Sequence, residues 1–266
     1  MTRNVCLPTG PPGERVGRGQ VSEDEKARYI RRMFGAIAPR YDLANALISG
    51  GLHRKWKAAT ARLAQVPPGG RAVDVCCGTG DLALLLARSV GPRGRVVGID
   101  ISEEMLGVAR RKAAAARLGR VVEFALGDAE ALGLPDAAFD GATVGFGIRN
   151  TIHPETALRE LHRVLRPGAH LAVLEFSTPQ SGVVQRLYGW YSYTVIPWMG
   201  RLASRHTDAY LYLSTSIRAW PDQAAFAGMM ARAGFAPVRY QNLLGGIAAI
   251  HVGVRPAGDR VAEGLA

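Results

Sequence analysis

From residue 72 onward, the spacing of hydrophobic and polar positions alternates between two periods, which predicts strands and helices in turn. Short apolar runs predict five strands, at 72–77, 95–102, 121–128, 139–147 and 170–176. Helical periodicity fills the intervals, including a helix predicted over 154–165 that Pro167 and Gly168 end. Because strands separated by helices of this length lie side by side, the pattern predicts a parallel, doubly wound α/β sheet.

The C-terminal part of the chain carries a different pattern. After a helix predicted at about 222–233, two strand-like runs follow at 238–244 and 247–254, with Gly245 and Gly246 between them. So short a joint requires an antiparallel pair, since a parallel crossover needs about a dozen residues. Five parallel strands plus a C-terminal antiparallel hairpin predict the seven-stranded Rossmann-like fold of class I S-adenosylmethionine-dependent methyltransferases. A dinucleotide dehydrogenase would continue with another βαβ unit.

The same pattern divides the chain into segments. We predict a disordered tail at 1–22, an N-terminal helical cap at 23–66, a methyltransferase domain at 67–256 with a helical, aromatic insert at about 180–215, and a second disordered tail at 257–266. The cap contains two predicted helices, at about 23–37 and 53–64. Ser22 and Glu25 have the spacing of a helix N-terminal capping box.

Composition narrows the class of protein. The chain has 266 residues, 48% hydrophobic and 21% charged, a balance typical of a globular protein with a sizeable core. No stretch approaches the roughly 18 consecutive apolar residues of a spanning helix, and no secretory signal is evident, so we expect a cytoplasmic protein. The three cysteines, Cys6, Cys76 and Cys77, lack the spacing of a disulfide framework or a zinc site. We expect no bound metal.

The formal net charge of +11 fits several partners. It is consistent with a solvated basic surface, with a face toward anionic lipid headgroups, or with nucleic-acid binding. Basic clusters interleaved with stacking aromatic residues are not evident, so we expect no nucleic-acid partner. A homodimer is one of the possible states, because the sequence does not determine the number of subunits.

A glycine loop follows the first predicted strand. Gly78, Gly80 and Ala83 satisfy a G-x-G-x-x-G/A pattern, with Thr79 between the glycines. Alone the pattern is weak, because nicotinamide enzymes share it. S-adenosylmethionine carries an ammonium group rather than a pyrophosphate, and an acidic residue beside the loop suits that ammonium. Asp74 and Asp81 are the two candidates, Asp81 having a helix N-cap as its alternative role.

Carboxylates also stand at the ends of the next two strands. Asp100 closes the second predicted strand about 20 residues past the loop, where a carboxylate accepts hydrogen bonds from ribose hydroxyls. Asp128 ends the third, where it can accept from the adenine amine, and Ala129 leaves room for the ring. These features converge on the crevice where open α/β sheets bind ligands, and they predict S-adenosylmethionine as the cofactor.

Several motifs resemble those of one family, the ubiquinone/menaquinone biosynthesis C-methyltransferases (UbiE type). The core motifs are VDVCCGTGDLALLLA, GDAEALGLPDAAFDGATVGFGIRN and ALRELHRVLRPGAHLAVLEFSTP, and the flanking ones are MFGAIAPRYDLANALISGGLHRKWK, YLYLSTSIRAWPDQ and LLGGIAAIHVGVRP. The likeness runs from about Met33 to Pro256. It implies methyl transfer from S-adenosylmethionine to a ring carbon of a polyprenylated quinol: 2-demethylmenaquinol, or alternatively a ubiquinol precursor.

The resemblance also implies roles for individual residues. Thr79, Asp100, Asp128 and Ala129 fall on the family's cofactor-binding positions. A further position in the fourth-strand motif, often serine in the family, is Gly145 here. A serine hydrogen bond to the cofactor therefore cannot be carried over.

Candidate acceptor residues come from strand ends and from the cap. Carbon methylation of a quinol needs a base, or a cation that stabilises a phenolate, near the methyl group. We expect Arg149 to fill that role, Asn150 to orient the ring and Tyr41 to hydrogen-bond the quinol, with surface, turn and packing roles as alternatives. Glu175 is a candidate base acting through water, with shaping of the crevice as the alternative. His251 is a candidate general base for which a structural role is favoured, and Asp42 is a second candidate from the cap.

The predicted insert concentrates aromatic residues, namely Tyr188, Trp190, Tyr191, Tyr193 and Trp198. Such side chains suit a lid over an aromatic ring and also the lipid–water interface. Because a polyprenyl tail does not stay dissolved, we expect transient contact with a membrane surface through this insert and Arg186, Arg201 and Arg205. An ordinary helical cap with a packed aromatic core is the alternative.

Other functions fit fewer of the motifs. A nicotinamide-dependent reductase accounts for the glycine loop and Asp100 but not for the terminal hairpin or Asp74. A binding protein without activity would tolerate loss of Gly78 or Gly80, and both are present. A methyltransferase acting on RNA would fit the charge, yet no RNA-binding appendage is evident.

Overall fold

The computed structural model describes residues 22–182, Arg186 and residues 207–257. The chain enters through three helices that precede the sheet: α1 (Glu23–Ile37), α2 (Tyr41–Ile48) and α3 (Leu52–Leu63). Ser22 caps α1 through the predicted capping box, with Glu25 bonding back to the Ser22 backbone. The sequence pattern did not predict α2. Pro39 before it and Gly50-Gly51 after it had marked the segment as a connection.

A seven-stranded sheet forms the centre of the protein. Its strands are β1 (Arg71–Val75), β2 (Arg95–Asp100), β3 (Val122–Leu126), β4 (Phe139–Gly145), β5 (Leu165–Phe176), β6 (Val238–Leu243) and β7 (Ala248–Val254). Their order is β3-β2-β1-β4-β5-β7-β6. The first five are parallel, and β7 pairs antiparallel with both β5 and β6. The predicted five parallel strands and C-terminal antiparallel hairpin are therefore confirmed.

Helices cover both faces of the sheet. The helices after β1 are α4 (Asp81–Val90), α5 (Glu103–Ala115), α6 (Pro154–Val164), α7 (Thr207–Ala219) and α8 (Gln223–Arg232). Of these, α4, α5, α6 and α8 pack on the sheet together with α3, whereas α7 contacts the turn that follows β4. Successive residues of β1 show the two-sided burial: Ala72 packs into the layer with α3 and α4, whereas Val73 packs into the layer with α6 and α8. Burial on both faces explains why the strands read as nearly continuous apolar runs.

The start of β5 differs from the sequence pattern by more than the one or two residues seen at the other strand ends. β5 begins at Leu165, directly after α6, whereas a helix to 165 and a strand from 170 were predicted. The backbone stays extended through Pro167 and turns at Gly168, whose φ is +83° and whose N–H bonds to the Arg255 carbonyl. This hydrogen bond joins β5 to the end of the neighbouring strand β7, where the sequence pattern predicted a loop between α6 and β5.

The predicted insert is described only in part. α7 lies at its C-terminal end, and Arg186 is exposed. The aromatic residues of the insert, Arg201 and Arg205 lie outside the described residues, as do the two predicted tails up to residue 21 and from residue 258. Within the described part of the chain, no helix is both long enough and apolar enough to cross a membrane.

Replacing either of two glycines with alanine should change stability, in opposite directions for the two positions. A Cβ on Gly141 of β4 would lie 2.6 Å from the Ala64 carbonyl oxygen, so Gly141→Ala must push α3 away from the sheet. We expect it to lower the free energy of unfolding by about 2 kcal/mol or more. Gly107 of α5 has open space around it, its nearest neighbour being the Arg111 side chain at 3.7 Å, so Gly107→Ala should raise that free energy by up to about 1 kcal/mol. Urea unfolding of both variants checks the prediction, which equal effects would contradict.

Candidate active site

A pocket with an empty volume of about 790 Å³ lies at the carboxyl ends of the central strands. Gly78 follows β1, Asp100 ends β2, Asp128 follows β3 and Phe146 follows β4, and all four line the pocket. This is the edge at which open α/β sheets bind ligands. Four of the residues predicted to bind the cofactor line this one pocket, namely Gly78, Asp100, Asp128 and Ala129.

The N-terminal helices close the other side of the pocket. Ile30 and Phe34 of α1 and Tyr41 of α2 line it, and the Phe34 and Tyr41 rings meet edge to face with centroids 6.2 Å apart. The pocket thus has a polar half at the strand ends and an apolar half under α1 and α2. The sequence reasoning did not assign Ile30 and Phe34 to the site. Their spacing on the same face of α1 as Ala27, which also lines the pocket, was the available signal.

The glycine loop needs both of its glycines. Gly78 has φ +53° and donates its N–H to Asp100 Oδ2 at 2.7 Å, and a Cβ there would point into open space. Gly80 has φ +82°, and a Cβ there would lie 2.9 Å from both Ala109 and the Phe124 ring. The loop therefore packs closely on α5 and β3 while its backbone stays accessible at Gly78.

Asp100 joins this loop to β2. Its second oxygen accepts the Ser102 N–H at 3.0 Å. Burial raises the pKa of this carboxyl, while the Ser102 and Gly78 N–H groups act in the opposite direction. Asp128 is exposed and accepts the Glu130 N–H at 2.9 Å, and Ala129 is buried beside it. Both carboxylates are placed to accept hydrogen bonds from a ligand in the polar half.

Asp74 lies beneath the loop rather than in the pocket. It is 0% exposed, and its two oxygens accept the Thr143 hydroxyl at 2.7 Å and the Ala83 N–H at 2.9 Å. Burial raises the pKa of this carboxyl to about 7, even though both hydrogen bonds lower it. Asp74 thus ties β1 to β4 and to the first turn of α4, and it is not among the residues that line the pocket.

Thr79 and Asp81 face the N-terminal helices. Thr79 is 2% exposed, and its hydroxyl donates to Asp42 Oδ1 at 2.6 Å. Asp81 pairs with Lys57 at 2.8 Å and with Lys112. Burial alone would raise the pKa of Asp81, but the two ammonium groups lower it to about 2. Asp81 is the first residue of α4, whose N-cap is Gly80, so the alternative N-cap role predicted for Asp81 is wrong.

The two acceptor candidates that follow β4, Arg149 and Asn150, lie in different surroundings. The chain leaves β4 through a 3-10 turn, Ile148–Asn150, in which Asn150 lines the pocket and accepts the Tyr212 hydroxyl at 3.2 Å through its Oδ1. Tyr212, on α7, was not predicted as a site residue. Burial raises the pKa of its hydroxyl to about 12, so it stays protonated as a donor.

Arg149 is not among the residues that line the pocket. Its guanidinium pairs with Glu175 at 2.8 Å, and the two side chains are 5% and 1% exposed. The same guanidinium bonds to the Phe146 carbonyl and lies over the Phe176 ring, 5.3 Å from its centroid. Burial raises the pKa of Glu175 although Arg149 opposes the shift. The pair braces the turn after β4 instead of lining the pocket.

His251 sits in the core of the C-terminal hairpin. It is buried between the rings of Phe226 and Tyr240, and its Nε2 meets the Gln223 carbonyl at 3.0 Å. Burial lowers its pKa. It does not line the pocket, which agrees with the structural role favoured by the sequence.

Solved structures share this fold at low sequence identity. A SAM-dependent methyltransferase from Aquifex aeolicus matches with a TM-score of 0.53 and 21% identity, over 71% of this chain and 84% of its own. Another from Thermotoga maritima matches with a TM-score of 0.57 and 22% identity, over 85% of this chain and 99% of its own. The fold is that of class I S-adenosylmethionine-dependent methyltransferases, as predicted.

Sequence comparison decides the family. The model of the ubiE/COQ5 methyltransferase family matches residues 20–255. The chain belongs to this family. The ubiquinone/menaquinone biosynthesis C-methyltransferase UbiE of Pseudomonas aeruginosa (strain LESB58) is 44% identical over 245 residues, 92% of this chain and 96% of its own. That of Teredinibacter turnerae is 45% identical over 235 residues, 88% of this chain and 94% of its own. The resemblance read from the motifs is confirmed.

The family and the fold imply S-adenosylmethionine as the methyl donor, and the residues of the pocket fit it. The polar half offers carboxylate oxygens at the ends of β2 and β3 and open backbone at Gly78, which suit a nucleoside and its ribose. At Gly145 a Cβ would lie 2.6 Å from Leu82 Cδ1. A serine side chain, frequent there in the family, would require Leu82 to move.

The buried Asp74 carboxyl predicts a pH-dependent stability difference. Because its pKa in the folded protein, about 7, exceeds its unfolded value, the folded state keeps the proton longer as the pH rises. The stabilisation is present below about pH 4 and is lost as the pH rises through about 7. Relative to wild type, Asp74→Asn should gain about 1.5 kcal/mol in free energy of unfolding between about pH 5.5 and pH 7.

Urea unfolding of both proteins at the two pH values measures this difference. Histidines titrate in the same window, but they are common to both proteins, so the difference isolates Asp74. Asp81, whose pKa is lowered to about 2, loses its contribution only below about pH 4. A constant difference between the two proteins would show that Asp74 is ionised throughout.

Proposed function

We propose that this chain transfers a methyl group from S-adenosylmethionine to a ring carbon of a polyprenylated quinol, converting 2-demethylmenaquinol to menaquinol. C-methylation of a ubiquinol precursor is the second candidate, because the related enzymes are named for the biosynthesis of both ubiquinone and menaquinone. The observation that carries the proposal is the division of one pocket into a polar half, with Asp100 and Asp128, and an apolar half, with Phe34 and Tyr41. A nucleoside suits the first half and a flat aromatic ring suits the second.

The bound cofactor supplies an activated methyl group on its sulfonium. The task of the protein is to align the acceptor ring with that methyl and to favour loss of a proton from the neighbouring ring hydroxyl. The ring carbon would take the methyl group with S-adenosylhomocysteine as the leaving group. It would then release its proton to restore aromaticity, and the ring oxygen would regain one, so that one proton is released overall. The transfer is redox-neutral, so converting either quinol to its methylated product needs no oxidant.

Asn150 and Tyr41 are the catalytic residues of this proposal. Both line the pocket, one at the end of β4 and one on the opposite helix α2. The Asn150 Oδ1 accepts the Tyr212 hydroxyl and one of its amide N–H groups bonds to the Phe146 carbonyl at 3.5 Å, so the other N–H would be the donor toward a phenolate oxygen. The Tyr41 hydroxyl can hydrogen-bond the second ring oxygen.

Arg149 enters the proposal as a positioning residue. Its guanidinium is buried with Glu175 behind Phe146, so it acts on the acceptor through the wall that it braces. In the cofactor half, Asp100 would accept from the ribose hydroxyls and Asp128 from the adenine amine. Gly78 and Ala129 would lie against the ligand, whereas Asp74, Thr79 and Gly80 would shape the loop.

A methyl-transfer assay with labelled S-adenosylmethionine tests the proposal. Demethylmenaquinol, a demethylated ubiquinol precursor and RNA are offered in parallel, and we expect label on demethylmenaquinol. Asn150→Ala should lower kcat about 10²-fold, because one preorganised donor to a developing anion is lost, and leave the Kd for S-adenosylhomocysteine unchanged. No label on either quinol, with S-adenosylhomocysteine still bound, would remove the quinol as substrate but not the methyltransferase fold.

We further propose that the enzyme is cytoplasmic and collects its substrate at a membrane surface. Two leucines one turn apart on α2, Leu43 and Leu47, are 58% and 49% exposed, and the same helix carries Tyr41. Arg54 and Lys55 at the start of α3 are exposed as well. An exposed apolar helix face followed by basic residues suits the surface of an anionic bilayer.

Vesicle flotation tests the membrane contact. The double variant Leu43→Ser with Leu47→Ser should bind several-fold less well than wild type to vesicles that contain phosphatidylglycerol, because about two buried leucine side chains are lost from the bilayer. Tyr240→Ser, on the exposed edge strand β6, is the matched control and should bind as wild type does. Equal binding by the wild type and the double variant would exclude this face of α2 as the contact.

A further inference from the structure

Four charged side chains and one hydroxyl join the N-terminal helices to the glycine loop. Asp42 of α2 accepts hydrogen bonds from Thr79 Oγ1 at 2.6 Å and from Lys112 Nζ at 2.8 Å. Lys112, on α5, also pairs with Asp81, which Lys57 of α3 holds at 2.8 Å. Two ammonium groups thus balance two carboxylates, and each carboxylate uses both of its oxygens. The network links α2 and α3 to α4, α5 and the loop between β1 and α4.

Asp42 has a specific task within this network. The Thr79 hydroxyl is buried, so its proton needs an acceptor inside the protein. Lys112 Nζ also approaches Thr79 Oγ1, at 3.4 Å, but an ammonium group has no lone pair and can only donate. Asp42 Oδ1 is therefore the group that orients the hydroxyl in the middle of the glycine loop.

The same residue lies beside the apolar half of the pocket. Tyr41, its neighbour at the start of α2, lines that half, and Gly78, the neighbour of Thr79, lines the polar half. The hydrogen bond from Thr79 to Asp42 therefore connects the two halves of the pocket, with Gly78 on the cofactor side and Tyr41 on the acceptor side. No other hydrogen bond between the described residues of α2 and this loop accompanies it.

We propose that Asp42 is a positioning residue that fixes the cofactor loop and the acceptor wall in one relation, through the hydroxyl of Thr79 and the ammonium group of Lys112. Removal of its carboxylate leaves the Thr79 hydroxyl without an acceptor and frees α2 from the loop. Cofactor binding then weakens, because the loop must be reordered. The acceptor also binds less well, because Tyr41 is no longer held opposite Asn150. The acceptor part of the inference rests on the proposed function, whereas the cofactor part does not.

Calorimetric titration with S-adenosylhomocysteine tests the cofactor part on the full chain. We expect the Kd to rise about tenfold in Asp42→Ala, the effect of one hydrogen bond to a charged group. Asp42→Asn should raise it about threefold, since its carbonyl oxygen still accepts the Thr79 hydroxyl but the charge opposite Lys112 is gone. Glu103→Gln is the control, because it removes an exposed ion pair with Arg110 on the same helix as Lys112.

A double-variant cycle separates positioning from general stability. If Asp42 acts through Thr79, the Kd of Asp42→Ala combined with Thr79→Val should equal that of Asp42→Ala alone within about twofold. Additive effects, or a Kd in Asp42→Asn and Asp42→Ala within twofold of wild type, would overturn the inference even if the melting temperature fell. If Asp42→Ala does not fold, the threefold rise in Asp42→Asn decides the question.

The acceptor part has its own measurement. With the quinol that accepts label in the wild type, Asp42→Ala at saturating S-adenosylmethionine should raise the acceptor KM several-fold more than it lowers kcat. An unchanged KM would overturn the coupling to the acceptor wall. If no quinol accepts label, the proposed function fails, yet the titration series still decides whether Asp42 orders the cofactor loop.

Discussion

A carboxylate without access to water holds the cofactor loop in place. Asp74 uses its two oxygens on the Thr143 hydroxyl and the Ala83 N–H, so it fixes β1 against β4 and sets the first turn of α4. Burying such a group is costly, and burial raises its pKa to about 7. Its two hydrogen bonds offset this cost, and Asp74 acts beside the other anchors of the loop, which are Asp100 on the Gly78 N–H and Asp42 on the Thr79 hydroxyl. Gly78 has open space beside its α-carbon, so hydrogen bonds rather than packing restrain it.

The pocket above this anchor is assembled from segments distant in the chain. The strand ends supply the polar half, and α1 and α2, which precede the sheet, supply the apolar half. Two non-glycine residues in the wall, Cys76 and Phe146, have φ of +55° and +56°, a conformation that side chains rarely adopt. Both directly follow strands, where the backbone has to turn sharply to open the crevice. The buried pair of Arg149 and Glu175 supports one of these turns by bonding the Phe146 carbonyl.

Local signals explain what the sequence could predict. The sheet follows from apolar runs and their intervals, and Asp100 follows from its place at a strand end, because both depend on residues near in sequence. The strand-end rule also placed Arg149 and Asn150 at the correct edge, but it could not tell them apart. In the 3-10 turn after β4, Arg149 is buried against Glu175, whereas Asn150 lines the pocket. This difference depends on the packing of Glu175, which the position of a residue at a strand end does not show. Thr79 faces α2 for the same kind of reason, since its partner is 37 residues away.

The pairing of Arg149 changes how phenolate stabilisation must be understood in this site. An isolated guanidinium near the acceptor would favour the anion strongly, because the surroundings are desolvated. Here the guanidinium faces a carboxylate at 2.8 Å, so the pair presents little net charge to the pocket. In the proposed reaction the stabilisation would then come from oriented dipoles, and we propose the amide of Asn150, which lines the pocket and accepts the Tyr212 hydroxyl, as the donor. A dipole held in this way favours the anion only at close range, so it selects for a ring that is already aligned with the methyl group, whereas a free charge would attract any anion that entered.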